Sequence, residues 1–402
     1  MGEPTSQERT LAETAAEACS LDEVRSWCAI NSGSTNLSGL ERTAALLADR
    51  LSTLPGTLTL RDPDPVTALD AAGREIALAH GKHLHLVVRP GAPRQMLLTG
   101  HMDTVYGADH PFQTVRDLPD GRVNGPGVAD MKGGLAVMIA ALQAFERHPG
   151  AGTAGYEVVI NSDEEVGSAS SASLIAQAAR GKLAALTYEP SALPDGTLAG
   201  ARPGSGNFSF HIRGRSAHAG RNPEEGRNAV TAAAELALAL EALRRDGLSV
   251  NVARLDGGSP NNVVPDLAIL RVNLRPRTPD LEAAARAGIA AAVRQVAASR
   301  DVGVHVHGGF GRPPKPLDPP ALKLFALVEQ AGRDLGQTIA RKDSGGVCDG
   351  NNIAACGVPV VDTMGVRGGA IHSEEEYLIP ESLGERAALS ALVLARLAGG
   401  AL

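Results

Sequence analysis

Five short blocks concentrate the residues able to do chemistry. They are Gly100-His101-Met102-Asp103-Thr104-Val105, Gly127-Val128-Ala129-Asp130-Met131-Lys132-Gly133-Gly134, Asn161-Ser162-Asp163-Glu164-Glu165-Val166-Gly167-Ser168, Tyr188-Glu189-Pro190 and Gly368-Gly369-Ala370-Ile371-His372-Ser373. Taken singly, each has an ordinary explanation. Asp130 ahead of a helix is a natural N-cap, and acids ahead of Ser168 suit the positive end of a helix dipole. Together they read differently. Two His and several carboxylates converging on one place form a ligand set for Zn2+, or alternatively Co2+ or Mn2+. Without a cation between them, so many negative charges would repel one another. The neighbours Glu164 and Glu165 also permit a division of labour, one binding metal while the other stays free as a base. The pairs His83/His85 and His305/His307, spaced i, i+2, fit the polar face of a strand instead.

Convergence needs elements that bring these blocks together. Residues 96–100 form an apolar run that stops at His101, residues 157–160 one that stops at Asn161, and residues 183–187 one that stops just before Glu189. Between them, residues 130–148 carry apolar side chains at helical spacing and residues 168–180 form a small-residue helix. Strand, helix, strand, helix, strand is the pattern of an α/β, mostly parallel sheet with helices on both faces. In such sheets ligands bind at the carboxyl ends of the strands, where the first four blocks are placed, while the fifth lies close to the C-terminus.

The stretch 203–312 differs. Strand 207–213, helix 228–243, strands 251–255 and 267–274, helix 281–298 and strand 302–307 give the order β-α-β-β-α-β of a ferredoxin-like α+β sandwich. A turn rich in proline, Arg312-Pro313-Pro314-Lys315-Pro316, closes it, after which the α/β pattern resumes with helix 319–336, a strand near 358–361 and helix 380–398. One module is thus inserted in another: residues 1–202 and 313–402 form the host, and 203–312 the insert.

Composition narrows the function. With 38 basic against 45 acidic residues the net charge is −7, which opposes a nucleic-acid or anionic-membrane partner held by bulk charge. No stretch approaches the roughly 18 uninterrupted apolar residues of a membrane span. Cys19, Cys28, Cys348 and Cys356 show no CxxC spacing and read as reduced thiols, and the polar, acidic N-terminus is not a signal peptide, so a cytoplasmic location is expected.

The blocks HMDTV, GVADMKGG, DEEVGS, YEP and AIHS, in that order, resemble the dizinc metallopeptidase and amidohydrolase family of the aminoacylases, acetylornithine deacetylase, succinyl-diaminopimelate desuccinylase and the folate-cleaving glutamate carboxypeptidases. The resemblance runs from about residue 96 to 380, insert included. It implies two Zn2+ ions, with His101, Asp130 and Glu189 holding one, and a bridging Asp130 with Glu165 and His372 holding the other. It implies Glu164 as general base and Asp103 as the acid that supports His101. It also implies a homodimer, in which His218 of the segment 214–220 completes the partner's site. Asn262, Arg275 and Arg312 fall where the family places substrate-binding groups, and Gly345 and Gly346 lie in a loop suited to gripping a carboxylate. By the same resemblance the Asp130–Met131 peptide is expected to be cis.

The implied reaction is metal-assisted hydrolysis of an amide bond in an N-acyl amino acid or short peptide with a free carboxylate. Residues 343–352 and the AIHS block look most like the glutamate carboxypeptidase branch. That branch carries a Lys soon after its Glu-Pro pair, and residues 191–198 here hold none, so its glutamate specificity does not carry over. The alternatives are a deacylase acting on N-acetyl or N-succinyl amino acids and a non-catalytic binding homologue, although no ligand or base is missing. A two-metal phosphoesterase would want basic residues by the metals, where only Lys132 is available.

Overall fold

The computed structural model of the chain describes residues 4–402; Met1, Gly2 and Glu3, the start of the polar N-terminus, lie outside the described residues. A six-stranded sheet forms the centre, in the order Thr57–Arg61, His83–Val88, Ala154–Asn161, Arg94–His101, Ala184–Thr187, Val360–Val361. The first two pairings are antiparallel and the remaining three parallel. Period-2 alternation splits its apolar residues between two cores. Met96, Leu98, Val158 and Leu186 pack beneath the helices Ser6–Ala18, Gly134–Glu146 and Glu381–Ala398. On the opposite face, Leu97, Val159, Ala185 and Val360 meet the helices Ala172–Ala179 and Asp349–Ala355. Burial on both faces is why these strands read as unbroken apolar runs. Residues 128–146 have the length and hydropathy of a membrane span, yet they lie almost wholly buried inside the fold.

The helix expected from Asp130 begins later. Residues Val128–Gly133 form a wide turn with non-helical backbone at Asp130 and Met131, and the regular helix is Gly134–Glu146. The Asp130–Met131 peptide is cis.

Residues 205–312 build a separate antiparallel sheet in the order Leu248–Gly257, Leu267–Pro276, Ser205–Arg213, Gly303–Arg312. The helices Ala229–Glu241 and Pro279–Arg300 cover one face through a core of their own, which includes Phe210, Ile212, Leu236, Leu270, Leu274 and Val296. A hairpin, Val66–Leu69 with Glu75–Leu78, touches the other face: Thr67 Oγ1 lies 3.2 Å from His307 Nε2, and Arg271 Nη2 donates to the Leu69 carbonyl at 3.0 Å. Where the chain enters and leaves this sheet, Arg202 and Lys315 exchange backbone hydrogen bonds at 2.9 and 3.0 Å. Both side chains converge on buried Asp362, with Arg202 Nε and Lys315 Nζ each 2.8 Å from Oδ2.

Candidate metal centre

Three neighbouring parallel strands deliver three of the blocks to one edge. Their register sets His101 level with Asn161 and Thr99 level with Thr187, so His101, the Glu164–Glu165 turn and Glu189 emerge side by side. The turn before helix Gly134–Glu146 inserts Asp130 between them, and the segment after Gly369 brings His372 from the far end of the chain. Ala370 and His372 take left-handed backbone at φ 54° and 62°, a conformation uncommon for residues with side chains and concentrated at functional sites.

The two carboxylate oxygens of Asp130 are divided between the two imidazoles. His101 Nε2 lies 3.1 Å from Asp130 Oδ1 and 3.7 Å from Glu189 Oε2. His372 Nε2 lies 3.4 Å from Asp130 Oδ2 and 3.2 Å from Glu165 Oε2. His101 Nδ1 is 3.0 Å from the Asp103 main-chain carbonyl, to which it donates, turning Nε2 toward the acids. The Asp103 carboxylate stands farther off, 3.4 Å from that Nδ1. Its main partners are the backbone N–H groups of Glu164 and Glu165, each at 3.2 Å, and the Ser34 hydroxyl at 2.7 Å. Asp103 therefore orients the Glu164–Glu165 turn as well as His101.

The electrostatics are those of anions crowded out of water. Burial and the Asp130 charge push Glu165 up to about 7. Burial raises Glu164 well above the usual carboxylate range, with Arg312 opposing it. Hydrogen bonds donated to the Asp130 and Glu165 carboxylates lift His372 to about 11. Burial would lower His101, but Glu189, Asp103 and Asp130 outweigh it and raise it. Burial likewise pushes Asp130 up, and the two His rings more than reverse that.

Other expected site residues fall elsewhere. Arg312 is buried, with Nη2 2.6 Å from Glu164 Oε1 and Nη1 2.9 Å from Asp349 Oδ1. Arg275 and Gly345 do meet: Arg275 Nη1 donates to the Gly345 carbonyl at 3.1 Å. Gly346 lies beside the Arg202 guanidinium. His218 and Asn262 sit together on exposed loops of the second sheet, where Ala219 N–H donates to the Asn262 carbonyl at 2.9 Å, and neither hydrogen-bonds the acid–imidazole cluster of its own chain. His218 Nδ1 accepts from the Gly220 and Arg221 N–H groups at 3.1 and 3.2 Å, so a neutral ring carries its proton on Nε2. Lys132 turns away from the cluster, donating to the Trp27 and Ile30 carbonyls. His83 and His85 serve structure, His85 pairing with Glu157 at 2.6 Å.

Sequence reasoning missed Glu376. Its Oε1 accepts from the N–H groups of Ala129 and Asp130 at 3.0 Å, and its Oε2 from Gly127 N–H and the Tyr106 hydroxyl at 3.1 Å. It thereby anchors the backbone that presents Asp130. The run Glu374-Glu375-Glu376 was visible, but not that only its last member turns inward.

Residues 97–396 match peptidase family M20/M25/M40. Carboxypeptidase G2 of Pseudomonas sp. (strain RS-16) is 28% identical over 92% of this chain and 87% of that protein. Succinyl-diaminopimelate desuccinylase 2 of Shewanella loihica is 28% identical over 71% of this chain and 80% of that protein. Among solved structures, a Staphylococcus aureus tripeptidase superposes with a TM-score of 0.69 at 23% identity, covering 96% of this chain and 99% of that one, a likeness of fold. The chain belongs to peptidase family M20/M25/M40 and is a metal-dependent hydrolase.

Proposed function

We infer that this hydrolase cleaves the amide bond of an N-acyl amino acid or short peptide carrying a free carboxylate, in the manner of a carboxypeptidase. The observation that carries the reading is the shared Asp130, which turns one oxygen to His101 and the other to His372 while each imidazole also faces a second acid. Imidazole nitrogen and carboxylate oxygen are the donors that catalytic Zn2+ takes, and Co2+ or Mn2+ accept them too, so the residues fit two such ions. His101, Asp130 and Glu189 would hold one; Asp130, Glu165 and His372 the other. When bound, ions of this kind acidify water and polarise a scissile carbonyl.

The protein's own groups do the rest. Glu164 is the general base: Oε1 is held by Arg312, and Oε2 takes a proton from the attacking water and returns it to the leaving amine. His218 of the partner protomer offers its Nε2–H to the developing oxyanion. Arg275 has no carboxylate within ion-pair distance among the described residues, so its charge is free for the substrate's carboxylate, with Asn262 and the Gly345–Gly346 loop beside it.

This reading assigns catalysis to residues 1–202 and 313–402 and dimerisation to 203–312. Strand Leu248–Gly257 is an open edge of the second sheet, and near it Leu238 is 73% exposed and Leu255 40%. An unpaired edge with exposed leucines suits pairing with a second copy. A second reading, release of an acetyl or succinyl group, draws on the desuccinylase likeness and the missing Lys in residues 191–198. Amine release from a panel of N-acyl amino acids and dipeptides by the zinc-loaded protein tests both. Turnover of dipeptides and bulky N-acyl compounds supports the first; turnover of the acetyl or succinyl compounds alone supports the second. Full metal content with no amide cleavage would defeat both.

A further inference from the structure

We propose that Arg312 is a positioning residue for Glu164, holding one carboxylate oxygen so that the other faces the reacting groups, rather than a binder of the substrate's carboxylate; the proposal rests on Glu164 being the base. Arg312 is 4% exposed, and both of its Nη groups are committed within the protein. Nη2 donates to Glu164 Oε1 at 2.6 Å, to the Glu164 carbonyl at 3.1 Å and to the Ser168 hydroxyl at 3.0 Å. Nη1 donates to Asp349 Oδ1 at 2.9 Å and reaches the Asn352 side-chain oxygen at 3.3 Å. Asp349 is itself pinned by Asn161 Nδ2 at 2.7 Å and by the Ser168 hydroxyl. The guanidinium is a planar fork with its donors in fixed directions, so gripping both the side chain and the main chain of Glu164 fixes that rotamer.

Charge argues the same way. Arg312 already faces two carboxylates, and a third from a substrate would be repelled. Arg275 faces none among the described residues. Meanwhile a Glu164 oxygen lies within 4.8 Å of the ligand atoms of His101 and Glu189, within reach of the place where a carbonyl would be attacked. Arg312 is also the last residue of strand Gly303–Arg312, where the chain leaves the second sheet. The base is therefore held by an arm of that sheet, and its orientation depends on how the two sheets meet.

The test compares Arg312→Lys, Arg312→Met and Arg275→Met in the full-length, metal-loaded protein, using the best substrate of the panel. Metal content and melting temperature are measured alongside, and Arg312→Lys serves where Arg312→Met does not fold. Arg312→Met is expected to lower kcat about 100-fold with KM within threefold, as lost orientation of a base does, and Arg312→Lys to restore part of it. Arg275→Met should instead raise KM. Adding Arg312→Lys to Glu164→Gln should cost nothing further, because both changes remove one function. A rise in KM with kcat kept, or an additive loss in the double variant, would overturn the proposal. Full activity in Glu164→Gln alone would instead show that Glu164 is not the base.

Discussion

Loading metal should expel protons. His372 Nε2 lies between Asp130 and Glu165, whose hydrogen bonds raise it to about 11. His101 is raised too, since Glu189, Asp103 and Asp130 outweigh its burial. At pH 7 both rings therefore hold a proton where an ion would bind. Burial and the Asp130 charge bring Glu165 to about 7, so at that pH it holds half of another. A metal ligand must be unprotonated, so filling both positions should release protons at pH 7: about one from His372 and part of one from Glu165, with His101 and the likewise raised Glu189 adding to them. The affinity for metal should then rise with pH, by about tenfold per pH unit for each proton released. Calorimetric titration with Mn2+ in buffers of differing ionisation enthalpy counts the protons directly. His372→Gln should lower the count by about one. Release of fewer than one proton at pH 7 would mean that the rings are neutral without metal, and the reasoning from the acid–imidazole contacts would fail.

Glu164→Gln should keep both ions and lose catalysis by about 100-fold or more, whereas Glu165→Ala should lose an ion as well; metal analysis beside activity separates the two. If His218 acts across a dimer, mixing inactive His218→Ala with inactive Glu164→Gln under conditions of verified subunit exchange should restore up to half of a wild-type dimer's activity, and no recovery would rule it out. At Asp362, burial raises the carboxyl but Arg202 and Lys315 outweigh it, giving about 2. That value lies below the unfolded one, so the stabilisation, on the order of 2 kcal/mol, is complete above about pH 4 and is lost as pH falls toward 2. Asp362→Asn also leaves two cations buried and should cost about 3–5 kcal/mol at pH 7, read by denaturant unfolding, with the gap to wild type narrowing by about 2 kcal/mol as pH falls from about 4 toward 2.

The elements that carry the blocks were legible because their signals are local. Runs such as Met96 to Gly100 and Val158 to Ile160 are apolar without a break, and the helix after Asp130 shows its period within four turns. Before residue 95 only the strand around His83 and His85 is legible in this way. Strand Thr57–Arg61 is mostly exposed, and the hairpin from Val66 to Leu78 gets its place from His307 and Arg271, more than 200 positions away. The same distance hid Glu376, whose partners precede it by 246 to 270 residues, and hid the contact of Arg312 with Glu164, 148 residues earlier.

The sequence by itself determined which residues can bind a divalent ion and that His101, Glu164, Glu165 and Glu189 lie at or just past strand ends, since residue type and hydrophobic period need no knowledge of distant chain. Tertiary structure decided how Asp130 divides its two oxygens, which acid of the Glu164–Glu165 pair is tied to an arginine, and where the Asp103 carboxylate spends its hydrogen bonds. Those choices depend on geometry to within a hydrogen-bond length between segments tens to hundreds of residues apart. Only parallel strand register and packing across the sheet set distances that finely.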